Sequence, residues 1–428
     1  MAVSRRQFVR WSGAALAAGM AGGCASTVST RPPAGGRVVV IGGGYGGTTA
    51  ANHLRQLAPQ IEVVMIERDP AFVSCPLSNR VLAGTMKIEE LTRSYDTLSR
   101  NRGVIVVRGE AARVDPDKRL VVMGDGSVIG YDRLIMSPGI DFLWSEIPAM
   151  AADPEAASQI VPHAWKAGAQ TTLLRKQLEA MPDGGVYAIH IPAAPYRCPP
   201  GPYERVSQVA WYLSRNKPRS KILILDANDS IQSKPKLFAA AWDRFYKGMV
   251  EYRPNSRLLD VDLKSRTARL EFEDVKAAVL NVVPPQRAGN IARETGVMTT
   301  QRWCEVDFLT YESLKVKNIH VLGDAILAAP AMPKSGHMAN QHAKICASAI
   351  AELMSGRAPF QSPMAINTCY SFLTEMEVIR VSSVHRYDVA KRTMLTVPGS
   401  GGLSDAPSAL EGAYALQWAQ NIWANMLT

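Results

Sequence analysis

Runs of β-branched and aliphatic residues alternate with stretches of helical periodicity along most of the chain. The first run is 37–41 (RVVVI), a helical stretch is predicted at 48–57, and a second run occupies 62–66. Strands that alternate with helices in this way are typical of parallel sheets built from βαβ units. The pattern therefore predicts an α/β fold with a parallel sheet near the N-terminus.

A second group of strands is predicted further along the chain, at 186–191, 221–226 and 278–283. Beyond this group a strand at 318–322 ends in Gly323-Asp324, and a helix is predicted at 338–354. Two separate groups of strands in 428 residues indicate more than one domain.

A glycine-rich turn follows the first strand. Gly42, Gly44 and Gly47 have the spacing G-x-G-x-x-G, and the acidic residue Glu67 ends the next strand about 20 residues later. The glycines permit close approach of backbone N–H groups to a pyrophosphate, and Glu67 can accept the ribose hydroxyls. A glycine-rich structural turn is the alternative, but the complete fingerprint predicts a dinucleotide site.

The Gly323-Asp324 strand end points to a flavin. In flavoproteins with two dinucleotide-binding domains, an aspartate at this place holds the ribityl chain, and the next helix directs its positive end at the flavin. The apolar run 132–139, which ends in Pro138-Gly139, is typical of the strand that crosses beneath the FAD. We therefore predict a two-dinucleotide-binding-domain flavoprotein of the glutathione-reductase-like class.

The second α/β unit has no glycine-rich turn. Four prolines after its first strand, Pro195, Pro199, Pro200 and Pro202, remove backbone donors that a pyrophosphate would need. We therefore do not expect NAD(P)H to bind there. The predicted domains are an export signal and linker at 1–30, a discontinuous FAD-binding domain at 36–155 and 286–355, a Rossmann-like domain without an NAD motif at 156–285, and a C-terminal interface domain at 356–428.

Composition excludes several classes of protein. Apolar residues make up 47% and charged residues 20%, which is ordinary globular usage. The net charge of +10 is spread without a basic block, so we expect no nucleic-acid partner. The sequence has no apolar run long enough to span a bilayer. Its six cysteines form no C-x-x-C-H haem motif, and its histidines show no ligand spacing, so we predict no metal.

The N-terminus resembles an export signal. Arg5 and Arg6 form a twin-arginine pattern, followed by a Gly/Ala-rich apolar stretch and small residues around Cys24. A disordered basic tail is the alternative, and Cys24 weakly matches a lipid-attachment site. We predict export to the periplasm by the twin-arginine route.

Three cysteines lie in unusual surroundings. Cys75 follows the ribose acid closely, Cys198 begins the proline-rich loop, and Cys369 lies in the C-terminal segment. Taken alone, Cys75 is typical of a buried thiol. Cys198 and Cys369 could form a structural disulfide in an exported protein. Cys304 and Cys346 are predicted to be buried thiols.

Several long phrases are similar to those of one family. The chain resembles the flavoprotein subunit of flavocytochrome c sulfide dehydrogenase over nearly its whole length after the signal. The phrases that carry the resemblance are PHAWKAG (162–168), RCPPGPYER (197–205), PPQRAG (284–289), PKSG (333–336) and NTCYS (367–371).

The resemblance implies roles for particular residues. Cys75 would form a thioether with the 8α-methyl group of FAD, and Cys198 and Cys369 would form a redox-active disulfide beside it. Glu204 would be a catalytic acid or base, although an ordinary helix acid is the alternative, and Trp418 would lie near the flavin ring. The candidate FAD-binding residues are Gly42, Gly44, Gly47, Glu67, Arg68, Cys75, Pro138, Gly139, Gly323, Asp324 and Lys334.

The implied reaction is the oxidation of sulfide to zero-valent sulfur. Hydrosulfide would attack the disulfide to give a persulfide and a thiolate. Because the sequence lacks a haem motif, the implied electron acceptor is a separate c-type cytochrome subunit in a heterodimer. A sulfide:quinone reductase is one alternative, but residues 393–428 contain no Lys or Arg for an anionic lipid surface. An accessory flavoprotein that reactivates a thiol sulfur carrier is the other.

Overall fold

The structure is a computed structural model that describes residue 28 and residues 30–428. The twin-arginine pattern and Cys24 lie outside the described residues. Export by that route and lipid attachment therefore remain predictions.

Helices and short strands alternate along the described chain. The helices are α1 (Tyr45–Leu57), α2 (Ser78–Ala83), α3 (Asp96–Arg102), α4 (Pro148–Ala151), α5 (Pro154–Ile160), α6 (Ala169–Ala180), α7 (Gly201–Asn216), α8 (Pro235–Phe245), α9 (Asn290–Glu294), α10 (Gly336–Met354) and α11 (Ala409–Leu427). The strands are β1 (Arg37–Ile41), β2 (Glu62–Glu67), β3 (Phe72–Val73), β4 (Thr92–Arg93), β5 (Ile105–Arg108), β6 (Ala111–Asp115), β7 (Leu120–Met123), β8 (Val128–Gly130), β9 (Arg133–Met136), β10 (Ile140–Phe142), β11 (Val186–Ile191), β12 (Lys221–Asp226), β13 (Val250–Arg253), β14 (Leu258–Asp262), β15 (Thr267–Leu270), β16 (Asp274–Lys276), β17 (Val279–Val282), β18 (Gln286–Ala288), β19 (Ile319–Val321), β20 (Met364–Phe372), β21 (Val378–Asp388), β22 (Thr393–Thr396) and β23 (Gly402–Leu403).

The first sheet is parallel and has the strand order β19-β9-β1-β2-β5. Every residue of β1 is buried, as expected for a central strand whose two faces are covered. Helices α1 and α10 pack against each other on this sheet, where Asn340 Nδ2 donates to Thr49 Oγ1 at 2.8 Å. Because β1 and β19 run in the same direction, the loops after them, at Gly42 and Gly323, lie at the same edge of the sheet.

Both helices on this sheet begin earlier than predicted. The helix expected at 48–57 begins at Tyr45, and the helix expected at 338–354 begins at Gly336. In each case the first turn contains glycine, which has low helix propensity and hides the start of the helix from pattern analysis.

The second sheet is also parallel, with the strand order β13-β12-β11-β17. Two parallel sheets with helices confirm the predicted α/β fold class. Helix α7 packs on this sheet through the buried residues Tyr203, Val206 and Val209. The antiparallel pair β10–β18 lies between the two units, because its strands directly follow the first sheet and the second sheet along the chain.

The C-terminal segment forms an antiparallel sheet followed by a helix. Strands β20, β21 and β22 pair in that order, β23 adds to β21, and α11 packs against α1. Two hydrogen bonds join α11 to α1: Trp423 Nε1 donates to Tyr45 Oη at 3.1 Å, and Asn52 Nδ2 donates to the Asn425 carbonyl at 3.0 Å. Within residues 30–428, every helix is too short or too polar to cross a membrane.

Candidate flavin and sulfur site

A cavity of about 900 Å³ lies where the two α/β units and the C-terminal sheet meet. This volume is within the range of cavities that hold cofactors. One wall contains the turns after β1, β2 and β9. The lining also contains residues of the proline-rich loop, β20 and α11. The cavity therefore brings together parts of the chain that are more than 300 residues apart.

The glycine-rich turn forms one end of the cavity. Gly42 has φ of +100°, and a Cβ at this position would lie 2.3 Å from the Ser137 carbonyl oxygen. A Cβ at Gly47 would lie 1.8 Å from the Gly42 oxygen, so Gly47 allows α1 to pack against the turn, although it does not line the cavity. Gly44 lines the cavity, and a Cβ there would meet no atom within 4 Å. The turn leaves open space in front of the α1 N-terminus, where a phosphate would bind.

Glu67 and Arg68 lie at the end of β2 and line the cavity. The Glu67 carboxylate accepts hydrogen bonds from the backbone N–H groups of Gly43 and Asp69, the latter at 2.8 Å. These bonds hold the carboxylate where it can accept ribose hydroxyls. Arg68 is largely exposed and lies 3.7 Å from the Glu110 carboxylate.

Asp324 has an unsatisfied carboxylate oxygen. Its Oδ1 is buried and has no hydrogen-bond partner among the described residues, although Asp324 lines the cavity together with Pro138, Gly139 and Gly323. Burial raises the pKa of Asp324, and the charges of nearby basic groups oppose this shift. A buried acceptor without a donor indicates a missing ligand. The hydroxyls of a ribityl chain fit this place, so the residues present fit FAD.

Lys334 lies behind Asp324 rather than in the cavity wall. Its Nζ donates to the carbonyls of Asp324, at 3.1 Å, and Ile326, and it lies 3.7 Å from the centre of the Trp303 ring. Burial lowers its pKa to about 8. Lys334 therefore supports the backbone at Asp324, and the sequence pattern did not indicate this indirect position.

Cys75 is half-buried in the cavity wall, between β3 and α2. Its Sγ lies 4.0 Å from the Trp165 carbonyl oxygen. The Arg197 guanidinium donates to the same carbonyl, which places it beside Cys75. Arg197 was not predicted as a site residue, although it directly precedes Cys198 in one of the family phrases.

Cys198 and Cys369 both line the cavity as half-buried free thiols. The disulfide expected between them is not formed in this structure, and its formation stays a prediction. Burial, and next the charge of Cys369, raise the pKa of Cys198. Burial also raises the pKa of Cys369, whereas hydrogen bonds from Asn367 and Ser335 and the charge of Lys234 lower it. The ionisation of Cys198 therefore depends on the charge of Cys369.

Two backbone features position Cys198. It adopts a left-handed conformation with φ of +58°, and its N–H donates to the Lys334 carbonyl at 2.7 Å. Its own carbonyl accepts from Gly201 N at 2.8 Å, at the start of α7. A Cβ at Gly201 would lie 3.1 Å from Cys198 Sγ, so the glycine leaves room for the sulfur at the helix N-terminus. A positive helix end favours an anionic sulfur.

Glu204 lies in the first turn of α7 and is 8% exposed. Its two oxygens accept hydrogen bonds from Asn79 Nδ2 at 2.9 Å and from the Phe372 backbone N–H at 3.0 Å. Burial raises its pKa, and these hydrogen bonds oppose the shift. Burial is the larger effect, so the pKa of Glu204 lies above its usual value.

Trp418 lines the cavity from α11. Its ring centre lies 5.5 Å from that of His337 and 6.3 Å from that of Tyr370. The aromatic group closes the side of the cavity formed by the C-terminal segment.

Cys304 and Cys346 are fully buried and do not line the cavity. Among the described residues, no group of three or more His, Cys, Asp or Glu side chains is arranged to hold a metal ion.

Family models match three consecutive parts of the chain. Residues 36–170 match pyridine nucleotide-disulphide oxidoreductase. Residues 171–284 match the central domain of the sulfide dehydrogenase [flavocytochrome c] flavoprotein chain, and residues 361–427 match the flavin-binding domain of flavocytochrome c sulphide dehydrogenase. The second and third of these contain Cys198, Glu204, Cys369 and Trp418.

Two curated relatives are similar to the chain. The mitochondrial sulfide:quinone oxidoreductase of Mus musculus is 24% identical over 295 residues, which are 65% of this chain. The alignment spans 63% of the mouse protein's length. The flavoprotein chain of sulfide dehydrogenase [flavocytochrome c] from Chlorobaculum thiosulfatiphilum is 56% identical over 36 residues, which are 8% of this chain and 75% of that sequence.

Solved structures share the fold. The sulfide:quinone oxidoreductase of Aquifex aeolicus superposes with a TM-score of 0.72 at 17% identity and covers 91% of both chains. The putidaredoxin reductase of a covalent complex with putidaredoxin has a TM-score of 0.66 at 14% identity, covering 90% of this chain and 93% of that one. These likenesses confirm the predicted two-unit flavoprotein fold.

We call the turn at Gly42–Gly47, Glu67 and Asp324 the flavin cradle. This cradle, the family models and the Chlorobaculum relative all indicate the same family of flavoproteins. Two models specific to one family cover the second α/β unit and the C-terminal segment, and the flavin-binding model supports FAD as the cofactor. The family consists of FAD oxidoreductases. The resemblance predicted from the sequence is therefore confirmed, and the chain belongs to the flavocytochrome c sulfide dehydrogenase flavoprotein family.

Proposed function

We propose that the chain is the flavoprotein subunit of a sulfide:cytochrome c oxidoreductase. It oxidises sulfide to zero-valent sulfur at a disulfide formed by Cys198 and Cys369. One observation carries the proposal: these two cysteines and the buried acid Glu204 share a cavity with the flavin cradle. A disulfide with a purely structural role requires neither a buried acid nor a cofactor site next to it.

The first step takes place at sulfur. Hydrosulfide attacks one sulfur of the disulfide, a new S–S bond forms, and the Cys198–Cys369 bond breaks. The products are a cysteine persulfide, which retains the substrate hydrogen, and a cysteine thiolate. When that proton leaves, the outer sulfur can be released as zero-valent sulfur and the disulfide closes again, which frees two electrons that a bound FAD would accept.

Glu204 is assigned as the proton acceptor. Its hydrogen bonds with Asn79 and Phe372 hold the carboxylate in place, and its raised pKa gives the ionised form greater affinity for a proton. It lies in the same helix turn that approaches Cys198. The charge of Glu204 also contributes to the raised pKa of Cys198, after burial and the charge of Cys369.

The cofactor would be held by the turn at Gly42–Gly47, by Glu67 and by Asp324. When bound, FAD supplies an acceptor for two electrons that can release them one at a time. We propose that Cys75 anchors it through an 8α-thioether, because Cys75 lies in the cavity wall with Arg197 beside its sulfur.

The proposed electron acceptor is a separate c-type cytochrome, joined to this chain in a heterodimer. The family implies a cytochrome c partner, and this sequence has no haem-attachment motif of its own. We place both proteins in the periplasm, because the twin-arginine pattern at Arg5 and Arg6 supports that route. Fractionation of cells that carry the full chain tests this location: protein confined to the cytoplasm would contradict it.

A sulfide:quinone reductase is the second candidate. Two comparisons favour it, since the mouse and Aquifex proteins are described as sulfide:quinone oxidoreductases. The two candidates share the sulfur step and differ in the acceptor. Purified protein reduced by sulfide should therefore be mixed with a c-type cytochrome and, separately, with a short-chain quinone. Reduction of the quinone alone would replace our first candidate with the second.

The central test is anaerobic bleaching of the flavin by sulfide. The wild-type protein should bleach, and Cys198→Ala should retain FAD but lose bleaching. Cys346→Ala is the matched control, because it removes a buried thiol that lies outside the cavity. Bleaching at the wild-type rate in Cys198→Ala would remove the disulfide from the mechanism.

A further inference from the structure

A buried lysine lies beside the cysteine pair. Lys234 directly precedes α8, is 3% exposed and has a left-handed backbone with φ of +55°. Its Nζ donates to the Cys369 carbonyl at 3.1 Å, to Ser371 Oγ at 2.7 Å and to the Ile379 carbonyl at 3.3 Å. These three bonds use all the N–H donors of an ammonium. Lys234 therefore ties the second α/β unit to the strand that carries Cys369.

The acceptors of Lys234 are all neutral groups. Among the described residues no carboxylate contacts its ammonium, and a buried cation without an anionic partner is costly. Burial lowers its pKa to about 8, and nearby anionic groups oppose the shift, in the order Cys369, Glu204, Cys198 and Glu411. The groups that face this cation are thus mainly the sulfur-site residues.

Opening of the disulfide creates a negative charge at this place. Hydrosulfide enters as an anion, one S–S bond forms, another breaks, and the leaving cysteine becomes a thiolate. No electron is lost in this step, so one unit of negative charge moves from solvent into a buried site. A fixed positive charge nearby stabilises such a product more strongly inside a protein than in water.

We propose that Lys234 is a positioning residue of the sulfur site, which holds the Cys369 strand and supplies the positive charge that stabilises the anionic sulfur formed when the Cys198–Cys369 disulfide opens. The inference rests on the disulfide mechanism proposed above. Lys234 is not a catalytic residue in this scheme, because its hydrogen bond reaches the Cys369 backbone rather than the sulfur.

Alkylation of the reduced protein by iodoacetamide tests the charge effect without turnover. We compare wild type with Lys234→Met, which removes the charge, and Lys234→Arg, which keeps it. Lys236→Met is the matched control, since Lys236 is exposed two residues further on. In Lys234→Met the apparent pKa for alkylation of Cys198 and Cys369 should rise by about one unit, which is about tenfold slower at fixed pH. Lys234→Arg and Lys236→Met should stay near wild type.

Sulfide-dependent bleaching is measured on the same four proteins. Lys234→Met should bleach more slowly, by up to about tenfold if the whole unit of thiol pKa is transmitted to the leaving group. Wild-type alkylation and bleaching in Lys234→Met would overturn the inference. Wild-type protein that does not bleach would instead refute the proposed function, while the alkylation profile still tests Lys234.

Ser371→Ala separates charge from position. It removes one hydrogen bond of Lys234 and leaves the ammonium in place. We expect its alkylation profile to match wild type. If it changed as much as Lys234→Met, or if Lys234→Arg failed to restore the profile, the charge would not be responsible. If Lys234→Met does not fold, Lys234→Gln, which also removes the charge, takes its place in both measurements.

Discussion

Glu204→Gln removes the proposed proton acceptor and preserves the size of the side chain. The wild-type carboxylate accepts from Asn79 Nδ2 and from the Phe372 N–H. A glutamine offers only one oxygen, so its amide nitrogen faces one of these donors. Asn79 cannot turn around without loss, because its Oδ1 accepts from Arg205 Nε at 3.2 Å. The substitution therefore loses one hydrogen bond within a buried group of side chains.

Two opposing effects set the stability of this variant. A hydrogen bond to a charged acceptor is worth about 1.5–3 kcal/mol. Removal of a buried carboxylate relieves the desolvation that raises the pKa of Glu204. We therefore expect the free energy of unfolding to change by less than about 3 kcal/mol, so the protein stays folded. The rate of sulfide-dependent bleaching should fall by about 10²–10⁴-fold, as for the loss of a general base.

The pH dependence tests the same assignment. Burial raises the pKa of Glu204 above its usual 4.5, so the wild-type proton acceptor is lost as pH falls through this raised value. Stopped-flow bleaching should be measured on wild type and Glu204→Gln across this range. Because sulfide titrates identically in both samples, the ratio of the two rates isolates the contribution of Glu204. The ratio should fall toward one as the pH is lowered.

Glu179→Gln serves as the control, because Glu179 is an exposed helix acid paired with Arg175. It should retain the wild-type rate and profile. If Glu204→Gln also bleached at the wild-type rate, or if the ratio of wild-type to variant rates did not depend on pH, Glu204 would not be the proton acceptor. Its buried position in the first turn of α7 would then serve the packing of that helix alone.

Two further predictions concern the cofactor bond and acid stability. Cys75→Ser should release FAD when the protein is precipitated with acid, whereas wild type keeps it, and flavin retained by the precipitated variant would contradict the thioether. Burial lowers the pKa of His190 from 6.5 to about 3, so its contribution to stability is complete above pH 6.5 and is lost as the pH falls toward 3. The free energy of unfolding, measured with urea, should fall less between pH 6.5 and 3 in His190→Leu than in wild type, by about 1–4 kcal/mol. Equal losses in the two proteins would show that His190 does not cause the acid sensitivity.

The flavin cradle could be predicted because its signals are local. Gly42 must adopt a left-handed backbone and cannot carry a Cβ, so the glycine is visible in the sequence. Glu67 and Asp324 each follow an apolar strand directly, and a strand end fixes where a side chain lies relative to the sheet edge. In these cases a few neighbouring residues determine both the conformation and the place of the functional group.

The surroundings of the cysteine pair could not be predicted in this way. Lys234 directly precedes the proline that begins α8, and a lysine in that place belongs to no recognisable functional motif. Its hydrogen-bond acceptors lie more than 130 residues further along the chain. Arg197 reaches Cys75 across two domains. The sequence phrase PKSG (333–336) makes Lys334 a candidate cofactor residue. In the structure its Nζ donates to the Asp324 carbonyl, and Lys334 lies outside the cavity wall. These contacts depend on how the domains pack, and hydrophobic periodicity carries no information about the relative placement of distant polar side chains.

The second α/β unit shows how a dinucleotide fold can support different chemistry. Asp226 ends β12, where a nicotinamide-binding domain would place its ribose acid. Here its carboxylate accepts hydrogen bonds from Tyr203 at 2.7 Å, Tyr252 at 3.1 Å and Asn228 at 2.7 Å. These internal donors occupy the acceptor sites that a ribose would need. The α7 N-terminus, which would otherwise face a pyrophosphate, approaches Cys198. The same helix dipole can therefore stabilise an anionic sulfur in place of a phosphate, with no change in sheet topology.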